Sequence, residues 1–285
     1  IYEKEIWRTK THIDKKNIKA IIKYGLPFVP TFIVIWIFQS IDRIAIRNYC
    51  DFAEVGIYTA AFKIVAVMSL IQSSFTTYWV PVSYESYEKN PNNTGIFEKV
   101  SLFVSAIMFI SGIVIVIFKD LIFLMLESSY RSAAGLTSFL LLMPILETVS
   151  YVTTVGINFK KKTYLYIIRA TIAAIINVVG NIFLVPKYGA EGAALSTAIS
   201  YVVYFFMGTY FSQKLYPVNY HLGKFYISTF VFLVVSFINT FIPIIYLQVI
   251  SAVVGFVIIC YLYKDQIFYL LNITKEGVDT LRKTK

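Results

Sequence analysis

Long apolar runs separated by short polar breaks dominate the chain. Residues 100–118 and 226–263 contain no Asp, Glu, Lys or Arg. A hydrocarbon core needs about 20 apolar residues per helix, and the second run is long enough for two helices broken at Pro243. Hydropathy and chain breakers predict eight helices, over residues 18–47, 54–84, 97–118, 133–159, 163–185, 189–213, 224–241 and 244–263. Backbone groups in lipid must pair within their own segment, which favours helices over strands. The predicted fold class is all-α, a polytopic transmembrane helical bundle of about eight helices.

Composition agrees. The chain is 58% hydrophobic and 15% charged, against about 45–50% and about 25% for a soluble domain. Its basic residues are distributed unevenly. Nineteen Lys and Arg fall on the side that holds both ends, among them Lys160, Lys161 and Lys162. The other side holds Arg43, Arg47, Lys119, Arg131 and Lys187. This bias predicts that both ends are cytoplasmic. It also accounts for much of the net charge of +10, so membrane lipids are the expected partner and nucleic acid is not needed. Residues 1–17 read as a cytoplasmic basic segment and 18–213 as a six-helix transmembrane lobe. Residues 214–263 read as two additional helices and 264–285 as a cytoplasmic tail. The start at Ile1, within a polar and basic stretch, reads as a piece of a longer chain.

Ionisable groups inside lipid are costly, so each one is a candidate site. Lys63 lies about 13 Å from the outer end of the second predicted helix, at ~1.5 Å per residue. Thr59, Ser74, Thr77 and Tyr78 share its face, which predicts contact with protein or a water-filled cavity. The alternative is a lysine paired with a carboxylate for packing. Glu147 heads a second polar stripe with Ser150, Tyr151 and Thr154. Arg169 lies about two turns from a predicted cytoplasmic helix start, where snorkelling is also open to it. Asp42 and Arg43 end the first helix and point about 100° apart, so they need not pair with each other. Asn177 and Asn181 form an i,i+4 pair. They suit either interhelical hydrogen bonding or a small-cation site of amide and hydroxyl oxygens.

Breakers add detail. Pro27 and Pro30 predict a bend or unwound turn near the cytoplasmic end of the first helix. Gly192, Ser196 and Ser200 form a small-residue row that allows close backbone approach. Residues 85–95, with Glu85 and Glu88, read as a solvated loop.

No enzyme constellation is present. His12 and His221 lie outside the apolar runs, and there is no HExxH, nucleophile elbow, P-loop or CxxC. Cys50 and Cys260 suggest neither a disulfide framework nor a metal cluster. No catalytic residue and no cofactor is expected.

The segments "KYGLPFVP…SIDRIAIRNY…AEVGIYTAAFKIVAVMSLI" and "NVVGNIFLVPKYGAEGAALSTAIS" resemble O-antigen and capsule polysaccharide flippases. These belong to the multidrug/oligosaccharidyl-lipid/polysaccharide exporter superfamily, and the resemblance covers about residues 23–200. It implies the second lobe of a MATE-like two-lobe transporter in the bacterial cytoplasmic membrane. The implied activity is flipping of an undecaprenyl-diphosphate-linked oligosaccharide by alternating access. Substrate contact is then expected from Lys63, Arg43, Arg169, Glu147 and Asp42. In related peptidoglycan-precursor flippases a sodium site maps onto Asn177, Asn181, the Ala193 carbonyl and Thr197, with an acid from an earlier helix. This sequence departs at Asn181, where an aspartate would supply charge. Asp42 is expected to lie too near the outer end to replace that acid. The coupling cation is thus expected to be sodium or a proton. Two rivals remain at this level. One is a multidrug exporter of the same superfamily, whose organic cations Lys63 would repel. The other is a membrane polysaccharide polymerase, which would need larger outer loops.

Overall fold

The computed structural model describes residues 22, 24–26, 28–125, 127–270 and 272. The basic segment 1–17, most of the tail 264–285, and Lys23 and Pro27 fall outside them or only partly within them. The described residues form helices and turns, with no strand among them.

Helix α1 spans Phe28–Tyr49. Helical backbone at 24–25 gives way to a turn at Leu26, so the predicted interruption lies beside Pro27. Pro30 sits in the first turn of α1, where a missing N–H costs no helical bond. Helix α2 spans Phe52–Lys89 and is capped by Asp51, whose carboxylate accepts from the Glu54 amide at 2.9 Å. Its 38 residues measure about 57 Å, well beyond a ~30 Å hydrocarbon core. The expected loop at 85–95 is therefore shorter than read. Glu85 and Glu88 belong to α2, and Glu85 pairs with Lys89 one turn on.

Helix α3 spans Gly95–Leu124. A 3₁₀ turn at Ser128–Tyr130 follows. The predicted helix 133–159 is three pieces: α4 Ala133–Leu140, α5 Leu142–Thr153 and α6 Val155–Phe159. Pro144 cannot donate to Leu140, which accounts for the first break. At the second, the Thr154 hydroxyl donates to the Ser150 carbonyl at 2.7 Å and competes with the helical ladder.

Helix α7 runs Tyr164–Leu215, 52 residues. At ~1.5 Å per residue that is about 78 Å, enough for two crossings. Gly189, at φ 54° and ψ −135°, folds it into two legs, 164–188 and 190–215. A side chain is strained at that φ, and glycine is not. Helices α8 (Leu222–Phe241) and α9 (Ile245–Leu262) complete the bundle. Among the described residues, seven helical spans are long and apolar enough to cross a membrane. With α7 counted as two legs, the described residues offer eight candidate crossings.

The turns at 90–94, 160–163 and 216–221 lie on one side of the bundle, here the near side. Those at 50–51, 127–132 and 242–244 and the bend at Gly189 lie on the far side. Helix α1 packs most extensively on α7, and α5 packs on α3 and α7, while α8 and α9 pack on each other and on α3 and α4. The α4–α5 stretch is the centre of the lobe, with 83% of its span buried. The two legs of α7 meet closely. A Cβ on Gly192 would stand 2.5 Å from the Leu184 carbonyl oxygen, and the Ser196 hydroxyl donates to the Asn177 carbonyl at 3.0 Å. The small-residue row thus faces the other leg of its own hairpin.

Two polar clusters between α1 and α7

The first cluster centres on Asp42, which is 2% exposed. One carboxylate oxygen accepts from the Asn177 amide at 3.0 Å and the Asn181 amide at 2.7 Å. The other accepts from the Tyr58 hydroxyl at 2.7 Å and the Thr197 hydroxyl at 2.6 Å. Helix α1, helix α2 and both legs of α7 each contribute. Asp42, Tyr58, Asn181 and Thr197 lie seven or eight positions from a far-side turn and Asn177 twelve, so the cluster sits about 11–18 Å into the bundle at ~1.5 Å per residue.

This geometry corrects the expectation that Asp42 sits too near the outer end. The predicted helix was placed two residues short of where α1 ends, and Asp42 reaches both asparagines. The amide oxygens of Asn177 and Asn181 are buried without a hydrogen-bond partner. It is the amide nitrogens that face the carboxylate, which already holds four donors. Turning each amide by 180° would bring two neutral oxygens beside one carboxylate and the Thr197 hydroxyl. Such a set carries one negative charge and suits a hard monovalent cation. Ala193 is fully buried one turn before Thr197 on the same leg.

The second cluster lines a cleft of about 370 Å³ on the near side. Its walls come from α1, α2, the break between α5 and α6, and both legs of α7. Arg169 forms its floor at 6% exposed. The guanidinium donates to the Ser150 hydroxyl and the Tyr204 hydroxyl, each at 2.9 Å. It also lies 4.7 Å from the Tyr166 ring centre and 4.1 Å from that of Tyr204. Arg169 therefore does not snorkel: it is cradled inside the lobe. Gly208 makes this possible, because a Cβ there would collide with the guanidinium.

Glu147 lines the same cleft, within electrostatic reach of Arg169 and near Gln72. No ion pair joins Glu147 to Arg169 or to Lys63 among the described residues. The Tyr24 and Tyr84 hydroxyls meet at 2.9 Å across the near end of the cleft.

Lys63 and Arg43 belong to neither cluster. Both are exposed, as are Thr59, Ser74, Thr77 and Tyr78. The Arg43 guanidinium lies 5.4 Å from the ring centre of Phe62, the neighbour of Lys63, so the two cations stand at one level. The hydroxyls of Thr59, Ser74 and Thr77 are turned onto carbonyls of their own helix. The predicted stripe is thus real, and it faces away from this lobe.

Sequence reasoning missed Tyr58, Tyr204 and Lys119. Lys119, read as a loop cation, is 2% exposed. It reaches the Asp120 carboxylate at 3.0 Å and the Gln248 side chain at 3.2 Å, tying α3 to α9.

A family described as "Polysaccharide biosynthesis protein" matches residues 1–87. The structure of "Lipid II flippase MurJ, inward closed conformation" matches with a TM-score of 0.61 at 17% sequence identity. The match covers 93% of this chain and 59% of that one, so the chain spans about three-fifths of that flippase's length. No curated protein matches the sequence. The chain is a multi-pass membrane protein with the flippase fold. Both matches fit the resemblance to polysaccharide flippases.

Proposed function

Starting from the flippase fold and the polysaccharide-biosynthesis match, we propose that this chain is the second lobe of a transporter that flips an undecaprenyl-diphosphate-linked oligosaccharide outward. Alternating access of two lobes would carry it, with the near side cytoplasmic and the far side external. Lys63 and Arg43 supply the charge that meets the diphosphate, and the uncovered side of α1 and α2 is where a first lobe would face them. A lysine meets phosphate as a point charge without needing bidentate geometry. The glycan would remain in water between the lobes and the lipid tail in the membrane.

The coupling ion in this reading is sodium, held by Asp42, Asn177, Asn181 and Thr197. The observation that carries it is Asp42 buried against two asparagines whose own amide oxygens lack partners. Because the site joins α1 to both legs of α7, occupancy would bias how these helices pack. A ligand shifts a conformational equilibrium only through such a difference between states.

Depletion in cells tests the reading. Lipid-linked oligosaccharide should accumulate on the cytoplasmic leaflet, and wild-type protein should clear it while the Asp42→Asn variant clears it slowly. Normal delivery of glycan to the outer leaflet after depletion would remove the proposal.

A further inference from the structure

The two clusters lie on one line. Asp42, Phe38, Ile35 and Thr31 follow each other at helical spacing on one face of α1. Opposite them, Thr197, Tyr201 and Tyr204 do the same on the second leg of α7, and Asn177, Ala173, Ala170 and Tyr166 on the first. At the far end of these stripes are the Asp42 ligands. At the near end Ile35, Thr31, Tyr166 and Tyr204 line the cleft. One aromatic layer stands between, the Phe38 and Tyr201 rings stacked at 5.1 Å with 26° between their planes. Both are nearly fully buried, at 3% and 4% exposed. Phe38 is one turn from Asp42, about 6 Å, and Ile35 is less than one turn further. Across that layer the first leg presents only the small side chains of Ala170 and Ala173, both buried.

The other direction is different. Beyond Asp42 toward the far side lie Ile46, Val185, Ala190 and Ala194, buried and without a polar group in their side chains. Ala190 itself lines a far-side cleft of about 390 Å³, but only on the near side does a buried cation stand behind the barrier. Below it waits Arg169, a fixed cation whose field opposes any other cation entering the cleft. Glu147 faces the same cleft and partly offsets that field.

We propose that the α1–α7 seam is the passage by which the coupling cation leaves Asp42 for the near side, closed sterically by the Phe38–Tyr201 stack and electrostatically by Arg169. This rests on the cation reading of the Asp42 cluster. The stack must part for the ion to pass, as hydrophobic constrictions gate by excluding water. The Arg169 barrier falls when an anion occupies the cleft, so release responds to occupancy of the cleft without Arg169 touching the cation site.

The test is release of protein-bound ²²Na⁺ into unlabelled solution on the near side, from full-length protein in liposomes without substrate, after equilibrium ²²Na⁺ binding has been measured on the same preparations. Wild type should bind ²²Na⁺ and leak slowly. Phe38→Ala and Arg169→Gln should retain binding and leak faster, by about tenfold for each ~1.4 kcal/mol of barrier removed. Arg169→Lys, which keeps the charge, and Phe38→Trp, which keeps the plug, should stay near the wild-type rate. Adding Asp42→Asn to Phe38→Ala should suppress the leak. If wild type binds no ²²Na⁺, the cation reading and the passage fall together. If wild type binds and the two opening variants leak no faster, the passage alone is wrong. It is also wrong if the Phe38→Ala leak survives Asp42→Asn.

Discussion

The Asp42 carboxylate and the Asn181 amide, 139 positions apart in the chain, meet at 2.7 Å inside the bundle. Asp42 thus supplies the charge that Asn181 lacks. The negative group and the amide sit on different helices, so the site exists only while α1 lies against α7. Sodium should therefore stabilise the wild-type protein selectively. At a concentration a hundredfold above Kd the gain is about 2.7 kcal/mol. A thermal shift in sodium against potassium measures it. Asp42→Asn should erase the difference, and Asn181→Asp, which adds a second anionic ligand, should enlarge it. Equal melting of wild type in both salts would contradict the site.

Gly192 tests the hairpin of α7. A methyl group there would press on the Leu184 carbonyl oxygen 2.5 Å away. Gly192→Ala should cost about 1–3 kcal/mol, in the range of overpacked cores, and Gly192→Leu should block assembly. Membrane protein level and size-exclusion profile report both. A normal Gly192→Leu profile would show that the legs do not approach as described.

Lys63 separates function from folding. It is exposed and has no hydrogen bond or ion pair among the described residues, so its variants should accumulate at wild-type level. Losing one charged contact costs about 1.5–3 kcal/mol, so Lys63→Ala should slow flipping by roughly ten- to a hundredfold. Lys63→Arg should keep part of the rate, and Lys63→Glu should be inactive. Exchanging the residues as Lys63→Glu with Glu147→Lys should not restore flipping, because the two do not pair. Restoration would make Lys63 a packing residue.

Cysteine labelling from each side tests orientation. Lys161→Cys should react with an impermeant reagent on the cytoplasmic side and Lys187→Cys on the external side. Reaction of both from one side would contradict a membrane crossing by the first leg of α7.

Much of this is legible along the chain, and the reason is local. The spans follow from runs of apolar residues, and the bend of α7 follows from the Pro186–Gly189 stretch. Tyr166 and Arg169 are three positions apart, so their contact falls within one helix face. The Asp42 site is not legible in that way. Its acid, its amides and its hydroxyls come from four segments, and no spacing within one helix brings them together. The depth of Asp42 relative to the asparagines depends on how α1 and α7 are set against each other, which no spacing along the chain gives. Tyr204 and Tyr58 carry no mark distinguishing them from the other tyrosines of an aromatic-rich chain. Lys119 sits at the edge of an apolar run, where a loop cation and a buried clamp share the same pattern.

The most direct measurement is flipping itself. Full-length protein in liposomes, loaded with undecaprenyl-diphosphate-linked oligosaccharide on one leaflet, should expose the glycan to an impermeant lectin on the other under a sodium gradient. Wild type should transfer the glycan, and Lys63→Ala should transfer little at equal protein level. No transfer by wild type above protein-free liposomes, under a sodium gradient, a proton gradient or a membrane potential, would contradict it.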